Sequence, residues 1–300
     1  MDVNCEGCAG CCVDWRAIAP TASDHERRGP REPLDDTYNL VPLTREDVAC
    51  FLDVGLADAL TPRLWKDESD AETESSDTAG SSEKVKSSAK VDGVELAAID
   101  GKPVFFVGIR KPPKLVAPFE ADPSWLPTCA FLDPQTLQCR IHDEDVYPQE
   151  CAEYPGHNLK LGQRTECERV ENAFGGERLL DDEPPDELSG LLLGPQAIGQ
   201  KIFVYPDPEE LAGVVRRLLA DELTDGDRAR FVAAAVAGRP GTTGTNRETY
   251  ETVLDEVRET DSWVGRSIIE WEAMAKNEES DPSVATRVED ERGAPPTSGW

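Results

Sequence analysis

Four of the nine cysteines, Cys5, Cys8, Cys11 and Cys12, fall within CEGCAGCC at the start of the chain. Thiols this close together serve as a disulfide staple, a redox pair or a set of metal ligands. Two intervening residues allow a tight turn that points both sulfurs at one ion, and CxxCxxC extends this to three. A thiolate-rich set selects zinc or an iron-sulfur cluster over magnesium or calcium. Cys12 follows Cys11 directly, and adjacent side chains diverge. The two are therefore expected not to share one mononuclear tetrahedral site, so that one serves a second centre, bridges or stays free. A bacterial ferredoxin run leaves three residues before its last cysteine, and a zinc ribbon needs a second CxxC, so neither pattern is matched.

A second cysteine region holds Cys129, Cys139 and Cys151, with Cys167 after it. AFL and LQCRI flank Asp133-Pro134, which predicts a short β-hairpin with one cysteine on each side of its turn. Tyr147-Pro148 and Tyr154-Pro155 bracket Cys151 in a short helix or turn, because each proline restricts the residue before it. His142 and His157 are near cysteines but are read as surface or hydrogen-bonded histidines. Glu6, Asp14, Asp133, Asp143 and Glu150 are close to thiols, yet carboxylates are everywhere in this chain and none is assigned a catalytic role. Phosphate loops, dinucleotide fingerprints and nucleophile elbows are absent. Phe105-Phe106, Trp125 and Trp263 are read as core or surface-patch residues rather than a cofactor box.

The elements that must position these thiols are partly legible. Thr44 is an N-cap with Asp47 three residues on, and Val48, Phe51, Leu52, Leu56 and Leu60 recur at helical spacing. Cys50 is off that stripe and is left out of the metal set. NLVPL, 39–43, is expected to be a short strand, and the charged, proline-broken 25–36 a loop. VELAAID and KPVFFVGIR, joined by Asp100-Gly101, predict a hairpin. Residues 66–93 hold hardly an apolar side chain and are read as a disordered insertion. Beyond Cys167, helices are expected over 188–200, 208–223, 227–238 and 247–276, with a break possible at Asp261-Ser262. A disordered tail is expected from 277.

Composition bounds the setting. Asp and Glu number 60 against 31 Lys and Arg, giving a formal net charge of -29. The acid is spread through every segment and Arg outnumbers Lys, which predicts a halophilic source whose self-repulsion is screened by salt. No basic stripe exists for a phosphate backbone, so nucleic acid is not an expected partner. With no long apolar run and no signal-peptide pattern, no membrane partner is expected and the cytosol is the predicted compartment. A reducing cytosol turns clustered thiols away from disulfides toward metal or catalysis.

The chain resembles the YkgJ-like cysteine-cluster proteins, a family defined by CxxCxxCC and described as a zinc- or iron-chelating domain with eight recurring cysteines. CEGCAGCC matches that motif in full, and Leu43 to Asp47 is similar to its LTxED helix start. Cys129 to Leu132, Cys139 to His142 and Tyr147 to Pro155 resemble its CxFL, CxIY and RPxxCRxYP blocks, and Cys167 its last cysteine. Departures are His142 for Tyr, Tyr147 for the Arg of RP, and a longer gap between Cys139 and Cys151. The resemblance covers parts of residues 1–175.

The combined expectation is an α+β protein. A small cysteine-rich metal-binding domain with a β-hairpin and short helices, 1–175, precedes a helical segment, 176–276, and the tail, 277–300. Zinc or iron, an iron-sulfur cluster included, would be the cofactor, held by Cys5, Cys8, Cys11, Cys12, Cys129, Cys139, Cys151 and Cys167. The metal ion is the one partner the sequence implies. A closed chelating module and an iron-sulfur oxidoreductase both remain open, and no protein partner is indicated.

Overall fold

The computed structural model describes residues 1–20, 31–67, 87–142, 144–189, 194–277 and 282–297. In chain order its strands and α-helices are β1 (Asp2–Val3), α1 (Arg45–Asp53), β2 (Leu60–Leu64), β3 (Ser88–Val91), β4 (Val94–Ile99), β5 (Lys102–Ile109), β6 (Pro113–Val116) and β7 (Ser124–Pro127). Then come α2 (Gln149–Ala152), α3 (Gly156–Lys160), α4 (Glu166–Phe174), β8 (Leu179–Asp181) and β9 (Phe203–Val204). The chain finishes with α5 (Val214–Leu219), α6 (Asp225–Ala237), α7 (Arg247–Glu259), α8 (Trp263–Lys276) and α9 (Pro282–Asp290). The fold is α+β, with antiparallel sheets and a mainly helical C-terminal region. Among the described residues no helix is long and apolar enough to cross a membrane.

The main sheet has the order β2-β5-β4-β3, and β9 also pairs with β5. Asp100 and Gly101 make its central hairpin with φ of 53° and 73°, the left-handed pair that a tight two-residue turn demands. Phe105 and Val107 on β5 are buried against α6, where the Phe105 and Phe231 rings meet edge to face with centroids 5.0 Å apart. One core draws on Leu43, Phe51, Leu60 and Phe131 before residue 175 and on Tyr205, Phe231, Val253 and Ile268 after it, so apolar packing is continuous across that position.

Several local expectations are corrected. α1 starts on the expected capping box, Thr44 with Asp47, but ends at Asp53 rather than running to Leu60. Gly55, at φ 70°, lets the amides of Gly55 and Leu56 turn back onto the carbonyls of Leu52 and Phe51, which closes the helix and frees Leu60 for β2. Residues 39–43 are a loop lying on the sheet, not a strand, and the described part of 188–200 is a 3-10 turn at 194–197. Asp207-Pro208 opens only a 3-10 turn before the short α5, whereas α6 follows expectation, and Ser262 caps α8 at the expected break after α7. Residues 87–93 belong to β3 and its turn with β4, so the insertion is shorter than 66–93; positions 68–86 lie outside the described residues, as do 25–30 of the expected loop and Asp143.

The largest correction is at the C-terminus, where α9 replaces part of the expected tail. Glu289 is fully buried and takes hydrogen bonds from Lys114 Nζ, Arg140 Nε (2.6 Å) and Trp271 Nε1 (3.2 Å). Lys114 Nζ also donates to the carbonyls of Ala130 and Leu132 at 2.9 and 2.8 Å. The node thus ties the turn between Cys129 and Cys139 to both C-terminal helices α8 and α9. Its ends fit one another only in three dimensions, since Glu289 looks like any other acid in the sequence. Removing one partner of a buried ion pair strands the others. Glu289→Gln is therefore expected to cost about 3 kcal/mol, the scale for an uncompensated buried charge, measured by denaturant unfolding against the parent chain.

Candidate metal centre

The CEGCAGCC stretch is a chain of turns. Gly7, at φ 62°, reverses the backbone so that the Cys8 amide reaches the Cys5 carbonyl at 3.1 Å, and Ala9, at φ 48°, repeats the move before Cys11. Gly10 is needed for close approach, because a Cβ there would stand 2.6 Å from Val170 Cγ2 on α4. The run is fixed to the second cysteine region through the backbone. Cys129 N donates to Cys12 O at 2.8 Å, Asp14 N to Pro127 O at 2.8 Å, and Val13 pairs with Thr128.

The second region departs in detail from the expected hairpin. Leu132 and Cys139 form an isolated bridge, and Asp133 holds the turn by accepting from the amides of Gln135 (2.8 Å) and Thr136 (3.1 Å). Cys151 is on α2, directly after Tyr147-Pro148 as expected, and Cys167 is in the first turn of α4, whose capping box is Thr165 with Glu168.

All eight predicted thiols, Cys5, Cys8, Cys11, Cys12, Cys129, Cys139, Cys151 and Cys167, line one cavity of about 1230 Å³. Cys50 does not; its thiol points to the Asp145 carbonyl at 3.7 Å. Cys11 and Cys12 differ from expectation, since their sulfurs are 3.9 Å apart. Because the chain here is turn rather than helix or strand, consecutive side chains can face the same way. Sulfurs sharing one tetrahedral zinc stand about 3.8 Å apart, given zinc-sulfur bonds of ~2.3 Å. Among the described residues, however, no group of three or more Cys, His, Asp or Glu side chains is already arranged to hold an ion. The thiols surround a common space without being drawn onto one point, and rotation about χ1 is what would bring them there.

Crowding dominates the electrostatics. Burial pushes the Cys5 thiol up to about 11, helped by the charge of Cys11 and Cys8. Burial likewise pushes Cys139 up to about 12, helped by Cys129, and raises Cys8, Cys151 and Cys167. Cys12 is raised first by its contact with Cys11, while Cys129 falls to about 6 and Cys11 is lowered because each is hydrogen-bonded by Cys12. The donor set therefore fits a soft cation: thiols that resist ionising together are those a bound cation would deprotonate together. Nearby positive charge is already in place. Lys111 Nζ reaches the Cys11 carbonyl at 3.3 Å and favours the Cys11 and Cys129 thiolates, and Arg178 hydrogen-bonds the Cys8 thiol.

The neighbouring residues behave largely as weighed. His157 is buried, with Nδ1 3.2 Å from Glu150 Oε1 and Nε2 3.0 Å from the Ser189 carbonyl, so its ring is engaged away from the thiols. His142 also lines the cavity, its ring tilted on Tyr147 at 4.9 Å. Asp14 is paired with Arg16 at 2.6 Å and Asp133 with Arg140 at 3.0 Å, while Glu150 binds Lys201 at 2.5 Å and Glu6 is exposed. Phe105 and Trp263 are in the core, as read; Phe106 lines the cavity, and Trp125 packs edge to face on Trp271.

Sequence reasoning missed Glu166, which is 2 % exposed beside Cys167 and accepts from Trp15 Nε1 (2.8 Å) and Tyr38 Oη (2.5 Å). It missed Lys111 and Arg178 as well. None carries a local signal of this role, because Glu166 and Lys111 bear on Cys11, and Arg178 on Cys8, across a hundred or more residues.

Two expectations follow for the metal-free protein. Cys129, lowered to about 6, is ionised in the fold while still protonated in the unfolded chain, so its contribution to stability rises from pH 6 to 9.0, the ordinary cysteine value. Thiols raised to about 11 and 12 keep their protons while the unfolded chain loses them, so stability falls above 9.0. Thermal unfolding in chelator and reductant should show this maximum near pH 9, and loading with zinc should remove the alkaline fall. Separately, Gly10→Ala should destabilise by about 1–3 kcal/mol through overpacking on Val170, read from denaturant unfolding.

Comparison with known proteins is brief. Residues 1–300 match one protein family, Family of unknown function (DUF7531). No curated protein and no solved structure matches the chain.

Proposed function

For this chain, which belongs to the DUF7531 family of unknown function, we propose metal chelation: zinc or iron, an iron-sulfur cluster included, held by thiolates of Cys5, Cys8, Cys11, Cys12, Cys129, Cys139, Cys151 and Cys167. The observation that carries the reading is the sorting of the nine cysteines, eight of them on one cavity from distant parts of the chain and the ninth, Cys50, outside it. Packing alone gives no reason to gather eight thiols whose thiolates would repel one another, whereas a shared cation does. The resemblance to the CxxCxxCC cysteine-cluster proteins supports the same eight residues. Eight thiolates are enough for two four-coordinate sites, and the 3.9 Å between Cys11 and Cys12 allows those two to serve one ion or to bridge two.

Such a centre works in a reducing compartment, and we place it in the cytoplasm, where thiols stay available for metal. Bound zinc would cross-link the four stretches and make binding energy into folding energy, while a cluster would store an electron. An iron-sulfur oxidoreductase is the second reading, favoured by one observation: the thiol end of the cavity continues into space lined by other side chains, as a reacting centre needs.

Anaerobic purification in high salt, followed by metal analysis and visible absorption, tests the proposal. Zinc or iron is expected in stoichiometric amount. Ser at Cys11, Cys129 or Cys151 should lower metal content and thermal midpoint together, and Cys50→Ser should change neither. Metal-free protein with eight freely reactive cavity thiols would overturn the proposal; colourless zinc protein would remove the oxidoreductase reading.

A further inference from the structure

The cavity that holds the thiols has a second end, built on the face of the main sheet opposite α6. Along β2, Leu60, Pro62 and Leu64 are buried in the core, so Arg63 and then Trp65 fall on the other face by the two-residue alternation of a strand. Along β5, Phe105 and Val107 take the core, and Val104, Phe106 and Gly108 take the cavity side. Arg63 is directly opposite Phe106 in the register, and the Trp65 and Phe106 rings meet edge to face with centroids 4.5 Å apart. Gly108 explains why this face is open in one place and closed in another. A Cβ there would stand 2.6 Å from Leu40 Cγ and 2.7 Å from the Val41 carbonyl, so residues 40–41 lie directly on the sheet at Gly108. Farther along β5, Phe106 and Val104 keep side chains, and these are only half-buried and line the cavity.

Residues 35–38 connect the aromatic end to the thiol end. Arg63 binds Asp35 through two nitrogens, at 2.7 and 3.0 Å, and also donates to the Thr37 carbonyl. Next to it, Tyr38 reaches Glu166 and Arg169 on α4, one residue before and two after Cys167. Arg169 is in the cavity wall, and among the described residues its buried Nε meets no hydrogen-bond acceptor. An orphaned guanidinium N–H beside a tyrosine hydroxyl asks for an acceptor oxygen, and an anionic one repays its desolvation best. A pair of aromatic rings on a half-buried strand face asks for a flat apolar partner.

We propose that this cavity binds a planar aromatic organic acid, its ring against Trp65 and Phe106 and its carboxylate turned to Arg169, at the edge of the cysteine cluster. The dimensions agree, since small-molecule sites occupy about 300–1,000 Å³ and are mostly apolar with few polar anchors, and the whole cavity of about 1230 Å³ leaves room for both ring and thiols. The assignment rests on the chelation reading only for what the ligand would face; the ring site itself is made of side chains that are not thiols.

Isothermal titration of the full chain with 2-naphthoate, in reducing high-salt buffer, tests it, with metal content measured on the same samples. Saturable one-to-one binding is expected, weakened by about tenfold, the equivalent of ~1.4 kcal/mol, in Trp65→Ala and in Arg169→Gln. Val104→Trp fills the space instead of emptying it, and should abolish binding while the circular dichroism of the parent fold is kept. Absence of saturable binding, or binding that persists in Val104→Trp and Arg169→Gln alike, would overturn the proposal. Binding intact in a chain that holds no metal would sink the chelation reading and leave the aromatic site standing; metal held with no naphthoate binding would do the reverse.

Discussion

Eight thiols share one space, and the rest of the molecule has to tolerate them. A buried thiol is easy to accommodate as a small apolar group. Eight together are not, because each thiolate that forms makes the next less favourable, and burial removes the water that would screen them. The spread of values expresses this conflict: Cys129 is held near 6 by the hydrogen bond of Cys12, while burial, helped by the charge of Cys129, drives Cys139 to about 12. Lys111 and Arg178 relieve a fraction of the charge. Soft divalent cations would relieve more of it, so electrostatics supports the proposed chelation alongside residue type.

Holding such a set requires a frame that does not depend on the thiols. Two devices supply it. One is the sheet against α6, with aromatic packing from Phe105, Phe203, Tyr205 and Phe231. The other is the buried charge node, in which Glu289 on α9 meets Lys114 and Arg140 under the turn that carries Cys129 and Cys139. In a chain with 60 acids and 31 bases, most carboxylates must stay in water. Glu289 is an exception because two cations and an indole N–H meet its two oxygens, which is the condition for burying a charge.

The same frame gives the cavity two chemically different ends. Opposite walls of one β-sheet do different things: the face toward α6 is core, and the face toward residues 31–42 is aromatic and half-open. Gly108 decides where that face is covered. Tyr38, Glu166 and Arg169 then join the open part to the helix bearing Cys167.

Local chemistry was legible in the sequence by itself. It held the α+β class, the capping box of α1, the break at Asp261-Ser262 between α7 and α8, the Asp100-Gly101 hairpin, the short helix or turn at Cys151 and the exclusion of Cys50, since each depends on residues within a turn or two of one another. Tertiary structure alone decided that the eight cysteines face one cavity, that Cys11 and Cys12 point the same way, and that Glu289 is core rather than tail. It also decided where α1 ends, because the gain from sending Leu60 into β2 is a long-range term that a helical stripe does not contain. The physical reason is common to all of these. Periodicity and spacing report the conformation of neighbours, whereas burial and charge depend on which distant segments meet, and in this chain the meetings that matter join residues 5–12 to 129–167 and 114–140 to 289.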